Sequence, residues 1–276
     1  MDFIQRFAEK ADTRPWFLVL APFAPHKPAV VERRYADAPI SEFDPPPSYR
    51  EEDRSDKPPY VQTAKFDEPA LRELRDNQLR SLMSVDDLVA EVHSAVREAG
   101  EDRRTLSFFI SDHGYMWGEH FMRKKFVPYT ESIRIPMYAK WAGRLPAGGS
   151  DERMVTQMDI APTIMDILGM TERRHAMDGR SLLRPWQRKS IFVEYFLNND
   201  FPTWASVRTE DEQYVEYYEG SEPRTVTFRE YYDMRADPYQ LVNLLADGNP
   251  GNDPPTAALS ERLSVYRRCS GTTGPS

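Results

Sequence analysis

One stretch, residues 105–141, constrains this chain more than any other. It opens with an apolar run at residues 106–110 between polar residues, which predicts a buried strand of an α/β sheet. The run leads directly into Ser-Asp-His-Gly at residues 111–114. A second apolar run, at residues 133–138, follows a loop that contains Lys and Arg. Open α/β sheets bind ligands at the carboxyl ends of their strands. An acid, an imidazole and a cationic loop at one such edge suit a metal ion that holds an anionic ester.

The composition bounds the class of protein. With 276 residues, 40% hydrophobic and 12% aromatic, the chain is long and apolar enough to bury a core. A net charge of -8 argues against nucleic acid as the main partner. We find no apolar run of about 18 residues, so the sequence predicts no membrane span. Residues 1–6 lack the basic start and apolar stretch of a signal peptide, and the compartment stays open.

The first two-thirds of the chain predicts alternating strands and helices. Residues 16–22 read as a core strand, and the Pro-rich residues 29–68 read as a long irregular loop. Apolar residues at helical spacing predict a helix over residues 68–99, in which residues 84–87 cap a second helix or mark a bend. A further amphipathic helix is predicted over residues 158–168.

The last third predicts a smaller antiparallel sheet with a terminal helix. The strands are expected at residues 190–195, 204–209, 214–218 and 228–234, and the helix at residues 257–267. These elements lead us to predict three parts. They are a larger α/β part at residues 1–185, a small antiparallel β subdomain at residues 186–268, and a flexible tail at residues 269–276.

An ordered set of motifs resembles a known family. Asp112-His113-Gly114, Gly118-Glu119-His120, a lysine, and Arg134-Ile135-Pro136 are together similar to the second half of a sulfatase, a family of the alkaline-phosphatase-like superfamily. The N-acetylglucosamine-6-sulfatase-like and iduronate-sulfatase-like branches look most similar. The resemblance implies a partial alkaline-phosphatase-like sandwich, with a mostly parallel sheet flanked by helices. It also implies hydrolysis of a sulfate monoester on a sulfated sugar or similar molecule.

The same resemblance implies a divalent metal ion. Asp112 is the expected carboxylate ligand. His113 stands where relatives carry Asn or His, so that it either binds the metal or hydrogen-bonds the nucleophile. Oxygen ligands favour Ca²⁺, with Mg²⁺ or Mn²⁺ as alternatives.

Lys124 and Lys125 are adjacent, and either could be the cation that binds the sulfate. Lys125 lies eleven residues before Pro136, the interval that the family shows, and is therefore favoured over Lys124 as the catalytic lysine. Its ammonium would neutralise a nonbridging sulfate oxygen. The alternative is that both lysines are solvated surface residues. Lys124 is a candidate for substrate binding. For His120 two roles stay open, one in the substrate pocket and one in the structure.

Two further residues complete the predicted site. His26, between Pro25 and Pro28, matches the family's His-x-Pro and is expected to donate a proton to the sulfate or the leaving oxygen. The alternative is a surface histidine in a Pro-rich loop. Arg208, with Trp204 nearby in sequence, is a candidate for lining the substrate pocket.

Two features of the family are absent from these 276 residues: the Asp pair that follows the first strand and the motif of the nucleophile. Sulfatases use a formylglycine made from Cys or Ser in Cys/Ser-x-Pro/Ala-x-Arg, and Cys269 lacks Pro and Arg at the required places. We therefore expect a truncated chain that is inactive alone, with a complementing N-terminal half as a possible partner. Two other functions stay open: a phosphonate or phosphodiester hydrolase of the same superfamily, and a non-catalytic anion-binding module.

Overall fold

The computed structural model describes residues 2–9, 14–170, 177–196, 201–220 and 225–268, and the predicted tail at residues 269–276 lies outside them. The chain forms two compact units. Unit 1 comprises Met1–Asp44, Phe66–Ser111 and Ile135–Ser150, and unit 2 comprises Pro45–Lys65, Asp112–Arg134 and Asp151–Ser276. This is a different division from the predicted boundaries at residues 185 and 268, which stay predictions.

The regular elements within the described residues are six α-helices and eight strands, together with four 3-10 helices of three residues each. The helices are α1 (Asp2–Glu9), α2 (Pro59–Gln62), α3 (Glu68–Glu98), α4 (Thr130–Ile133), α5 (Ile160–Ile167) and α6 (Ala257–Tyr266). The strands are β1 (Ser107–Ile110), β2 (Met116–Trp117), β3 (Arg123–Lys124), β4 (Met137–Lys140), β5 (Ile191–Tyr195), β6 (Thr203–Arg208), β7 (Glu212–Tyr218) and β8 (Val226–Asp233). None of the described helices has the length and apolar character that crossing a membrane requires.

Unit 1 is organised by the 31-residue helix α3. The side chain of Asp67 caps its start by accepting from the backbone N–H of Ala70 at 3.3 Å, and its buried face packs against α1. The predicted cap or bend at residues 84–87 is wrong, because the helix runs through these residues without a break. Asp87 instead accepts a hydrogen bond from the hydroxyl of Tyr35 at 2.5 Å and pairs with Arg34 at 2.6 Å.

Strands β1 and β4 form a two-stranded antiparallel sheet in unit 1, with Ser107 opposite Lys140. Every strand pair among the described residues is antiparallel, so the predicted mostly parallel order is wrong for these strands. The predicted core strand at residues 16–22 is also wrong. The segment has no ladder partner in the described part of the chain, although its side chains alternate as in a strand. Phe17 and Val19 are 69% and 67% exposed, whereas Trp16 packs against α3.

Unit 2 contains the predicted small sheet, in the order β5-β6-β7-β8 with antiparallel pairing throughout. All four predicted strands and the terminal helix are confirmed, with shifts of one or two residues at their ends. Strands β6 and β7 lie in the middle and are buried on both faces, where α6 covers one side through Leu259 and Leu263. The α/β class is therefore confirmed, with helices and sheets in both units.

A buried carboxylate lies inside unit 2. Glu230 of β8 is fully buried and accepts hydrogen bonds from the hydroxyls of Tyr217 at 2.6 Å, Tyr232 at 2.7 Å and Tyr129 at 2.9 Å. Burial raises the pKa of Glu230, and the tyrosine hydroxyls offset only part of that rise by stabilising the charged form. This cluster connects the sheet to Tyr129, which immediately precedes α4.

Candidate functional site

The Asp112-His113-Gly114 turn is held against the segment that contains α4. The backbone N–H of Gly114 donates to the carbonyl of Ser132 at 2.9 Å. A Cβ atom on Gly114 would lie 2.1 Å from the carbonyl oxygen of Glu131 and 2.8 Å from that of Arg134. Only glycine allows two backbones to approach this closely, so Gly114 fixes where its neighbour His113 stands.

We expect Gly114→Ala to destabilise the protein by about 2 kcal/mol or more, because backbone atoms must move to admit the methyl group. The measurement is urea unfolding followed by circular dichroism. Gly251→Ala is the matched control, since its Cβ would meet only the side chain of Asn249, at 3.2 Å. Equal midpoints for the two variants would contradict the close-packing argument.

The imidazole of His113 is held between two groups. Its Nδ1 lies 2.8 Å from the carbonyl oxygen of Gly114, which only a ring N–H can satisfy. That contact leaves Nε2 as the acceptor, and the ammonium of Lys125 donates to it at 2.6 Å. The carboxylate of Asp112 lies 3.4 Å from the same Nε2, and its side chain is 84% exposed. The structure thus gathers an acid, an imidazole and an ammonium at one point on unit 2.

The loop that carries Lys125 has an unusual backbone. Four of its non-glycine residues have positive φ: His120 at 50°, Phe121 at 59°, Lys124 at 71° and Phe126 at 83°. Such residues are uncommon and cost free energy, and they collect at functional sites. Lys124 belongs to the short strand β3 and is exposed, whereas Lys125 is partly buried and contacts His113.

His120 lies in the interior of unit 2. It is fully buried, its Nδ1 lies 2.7 Å from Glu51 Oε2, and its ring stacks on Tyr129 with centroids 4.1 Å apart. The buried ammonium of Lys57 lies 3.4 Å from the other carboxylate oxygen of Glu51. This position favours the structural alternative for His120, and its role in substrate binding stays a prediction.

Arg208 stands at the end of β6 and is partly buried. Its guanidinium donates to Gln213 Oε1 at 3.2 Å. The pKa of Arg208 is lowered, first because burial disfavours its charge and second because Arg134 repels it. Neither arginine forms an ion pair with any residue that the structure describes. Arg208 and Arg134 therefore bring two positive charges into one region.

The remaining catalytic candidate, His26, belongs to unit 1. It is exposed in a turn between two cis prolyl bonds, Ala24–Pro25 and Lys27–Pro28, and its Nδ1 lies 2.8 Å from the carbonyl oxygen of Lys27. The ring of Phe23 lies 5.0 Å away, centroid to centroid. His26 and the cluster of His113 and Lys125 belong to different units, and the catalytic role of His26 stays a prediction.

The predicted metal ligands form only part of a metal site. Within the described ranges, no group of three or more His, Cys, Asp or Glu side chains is arranged to hold a metal ion. Asp112 and His113 would supply two ligands, whereas Ca²⁺ takes about six to eight. Lys125 also occupies the side of the imidazole that a metal would need.

Two contributors to the site carried no recognisable sequence signal. Gln157 supports the turn by donating its amide to the carbonyl of Asp112 at 2.8 Å, 45 residues away in sequence. Glu51 orients His120 from within the Pro-rich loop, 69 residues away. Neither residue belongs to a motif, and only the folded chain brings it to its partner.

The fold places the chain in the broad class of α/β proteins, and an acid, an imidazole and a lysine at one point suit a bound anion. Family comparison narrows this class: the Sulfatase family matches residues 1–170, and the family described as N-sulphoglucosamine sulphohydrolase, C-terminal, matches residues 118–268. The chain belongs to the sulfatase family.

Individual relatives agree with this assignment. The N-acetylglucosamine-6-sulfatase of Bos taurus is 27% identical, over 96% of this chain and 53% of its own length. The solved phosphonate monoester hydrolase of Silicibacter pomeroyi has a TM-score of 0.71 at 21% identity, covering 99% of this chain and 60% of that one. A structure in complex with D-glucosamine-2-N,6-O-disulfate has a TM-score of 0.60 at 22% identity, covering 70% and 39%. The chain spans about half the length of the curated relatives it matches.

Proposed function

We propose that this chain is the anion-binding part of a sulfatase that hydrolyses a sulfate monoester on a sulfated sugar. The observation that carries the proposal is the contact of 2.6 Å between Lys125 Nζ and His113 Nε2, beside the exposed carboxylate of Asp112. The family assignment supports the reaction class, and the names of the relatives support a sulfated sugar as substrate.

The chemistry assigns each residue a task. Hydrolysis breaks the bond between sulfur and the bridging oxygen, so negative charge must be neutralised on the sulfate and the leaving oxygen needs a proton. Lys125 neutralises a nonbridging oxygen, and His26 donates the proton. Lys124, His120 and Arg208 are proposed to contribute to substrate binding.

The proposal includes a divalent metal ion and a complementing segment. Asp112 is the proposed ligand in this chain for Ca²⁺, or alternatively Mg²⁺ or Mn²⁺, and His113 would be a second ligand only where Lys125 leaves its Nε2. A bound cation would neutralise further charge on the sulfate. The remaining ligands and the formylglycine nucleophile would come from a segment that these 276 residues do not contain. The absence of the Cys/Ser-x-Pro/Ala-x-Arg motif supports this part of the proposal.

The second candidate is a phosphonate or phosphodiester hydrolase, which the similarity in fold to a phosphonate monoester hydrolase favours. We would treat the native protein with EDTA and restore Ca²⁺, Mg²⁺ or Mn²⁺ separately. Hydrolysis of N-acetylglucosamine 6-sulfate would then be compared with that of a p-nitrophenyl phosphonate monoester and bis(p-nitrophenyl) phosphate.

We expect the sulfate ester to have the highest kcat/KM, and the activity to return with one of the added metals. A higher kcat/KM for either phosphorus ester would instead identify the second candidate. Sulfate binding without turnover of any ester would identify a non-catalytic anion-binding module.

A further inference from the structure

Arg208 is held in place by a buried amide. Gln213 of β7 is fully buried, and its Oε1 accepts from Arg208 Nη1 at 3.2 Å. Its Nε2 donates to the carbonyl of Pro128 at 2.5 Å and lies 3.2 Å from the hydroxyl of Ser206. Because all of these polar groups are satisfied, the amide cannot rotate without losing buried hydrogen bonds, and its Oε1 gives Arg208 Nη1 a fixed acceptor.

A second buried amide extends this support to the segment that carries Arg134. Gln240 is fully buried and donates its Nε2 to Gln213 Oε1 at 3.1 Å. Its own Oε1 accepts from the backbone N–H and the hydroxyl of Thr130, both at 2.8 Å. The chain Arg208–Gln213–Gln240–Thr130 therefore ties the end of β6 to the start of α4, and Arg134 directly follows that helix.

Neither arginine is in an ion pair with a residue that the structure describes. Arginine side chains that are removed from water are normally paired, because an unpaired charge loses hydration without compensation. Here the guanidinium of Arg208 is partly buried, and the segment that carries Arg134 is tied to the same buried amides through Thr130. The pKa of Arg208 is lowered by its burial and by the charge of Arg134. A ligand that carries negative charge would relieve both costs, and a guanidinium offers its N–H groups in the fork that fits a sulfate or carboxylate.

We propose that Arg208 and Arg134 form a subsite for a second oxyanion on the same sugar whose sulfate ester binds at His113 and Lys125. This arginine subsite rests on the proposed function and narrows it to sugars with at least two anionic groups. The two sites are connected through the chain itself, because the turn that carries His113 is hydrogen-bonded to Ser132, two residues before Arg134.

Calorimetry with two sugars tests the subsite. The native protein and its variants would be titrated with glucosamine 6-sulfate and with glucosamine 2-N,6-O-disulfate. We expect Arg208→Gln and Arg134→Gln each to weaken binding of the disulfated sugar about tenfold, as the loss of one charge-assisted contact implies. Binding of the monosulfated sugar should change less than about twofold. Arg262→Gln, on the exposed face of α6, is the matched control and should leave both affinities unchanged.

Two results would overturn the subsite: equal losses for the two sugars, which would place Arg208 at the ester sulfate itself, or no loss for either. Arg134 is exposed, so its variant gives a reading even where Arg208→Gln lowers the melting temperature.

A separate measurement distinguishes failure of the subsite from failure of the proposed function. Phenylglyoxal modification, read by mass spectrometry, would be followed with and without inorganic sulfate. Protection of Arg208 and Arg134 in a protein that binds no sulfated sugar would retain the anion site and reject the proposed function. Unchanged modification of both arginines would reject the subsite.

Discussion

Replacing Lys125 with methionine is expected to lower kcat/KM for a sulfate ester by about two to three orders of magnitude. This is the usual cost of removing one preorganised group that stabilises charge in the transition state. Methionine keeps most of the length and packing of the side chain but removes the ammonium, so the contact with His113 Nε2 at 2.6 Å is lost as well. The expected loss falls mainly on kcat, because the ammonium stabilises the charge that is redistributed over the sulfate oxygens while the ester bond breaks.

The assay would compare three variants of the native protein. Lys189→Met, at an exposed position away from the motifs, is the control and should retain full activity. Lys124→Met should lose less than Lys125→Met, because only Lys125 contacts His113. A larger loss for Lys124→Met would reverse the assignment of the two lysines. If the native protein turns over no ester, the same order is expected in its affinity for inorganic sulfate, measured by calorimetry.

Replacing Glu230 with leucine is expected to reduce the free energy of unfolding by about 3 kcal/mol or more. Three buried tyrosine hydroxyls donate to this carboxylate, and each loses its acceptor in the variant, at about 1 kcal/mol or more per group. Glu230→Gln should cost much less. Its Oε1 can still accept from Tyr129 and Tyr232, and its Nε2 can donate to the hydroxyl of Tyr217, which can in turn donate to Tyr60, 3.2 Å away.

The pH dependence of stability distinguishes the effect of the titrating carboxyl of Glu230 from the effect of its size and hydrogen bonds. Burial raises the pKa of Glu230 above its ordinary value of 4.5, so the folded state holds the proton more tightly than the unfolded state does. The stabilisation from that proton is complete below pH 4.5 and is lost as the pH rises through the folded pKa. Urea unfolding across this range should therefore show the wild type losing stability relative to Glu230→Gln. A constant difference between them would contradict a raised pKa.

The sequence predicted local elements of the fold better than their pairing. Periodicity located α3 and the four strands of the small sheet, because the side chains of these elements face a core at a regular interval. It failed at residues 16–22, where alternation alone does not supply a hydrogen-bonding partner. It also failed to give strand direction, since a short apolar run such as residues 106–110 looks the same in a parallel and an antiparallel pair.

The site was predictable only where its residues are neighbours in sequence. The turn with Asp112 and His113 and the spacing to Lys125 could be recognised from the motif order. Glu51 and Gln157 could not, because single polar residues outside a motif have no pattern that marks a distant partner. The proposed subsite of Arg208 and Arg134 likewise depends on the fold of unit 2.

The backbone of the loop from His120 to Phe126 has a consequence for engineering. Four residues there adopt positive φ without being glycine, so each is a position where glycine would fit the backbone more easily than the residue that is present. Lys124 is the exposed one of the four, so selection for thermal stability alone would be expected to collect substitutions there. The same substitutions would make the backbone at Lys125, the lysine in contact with His113, more mobile. A gain in stability would then come with weaker anion binding.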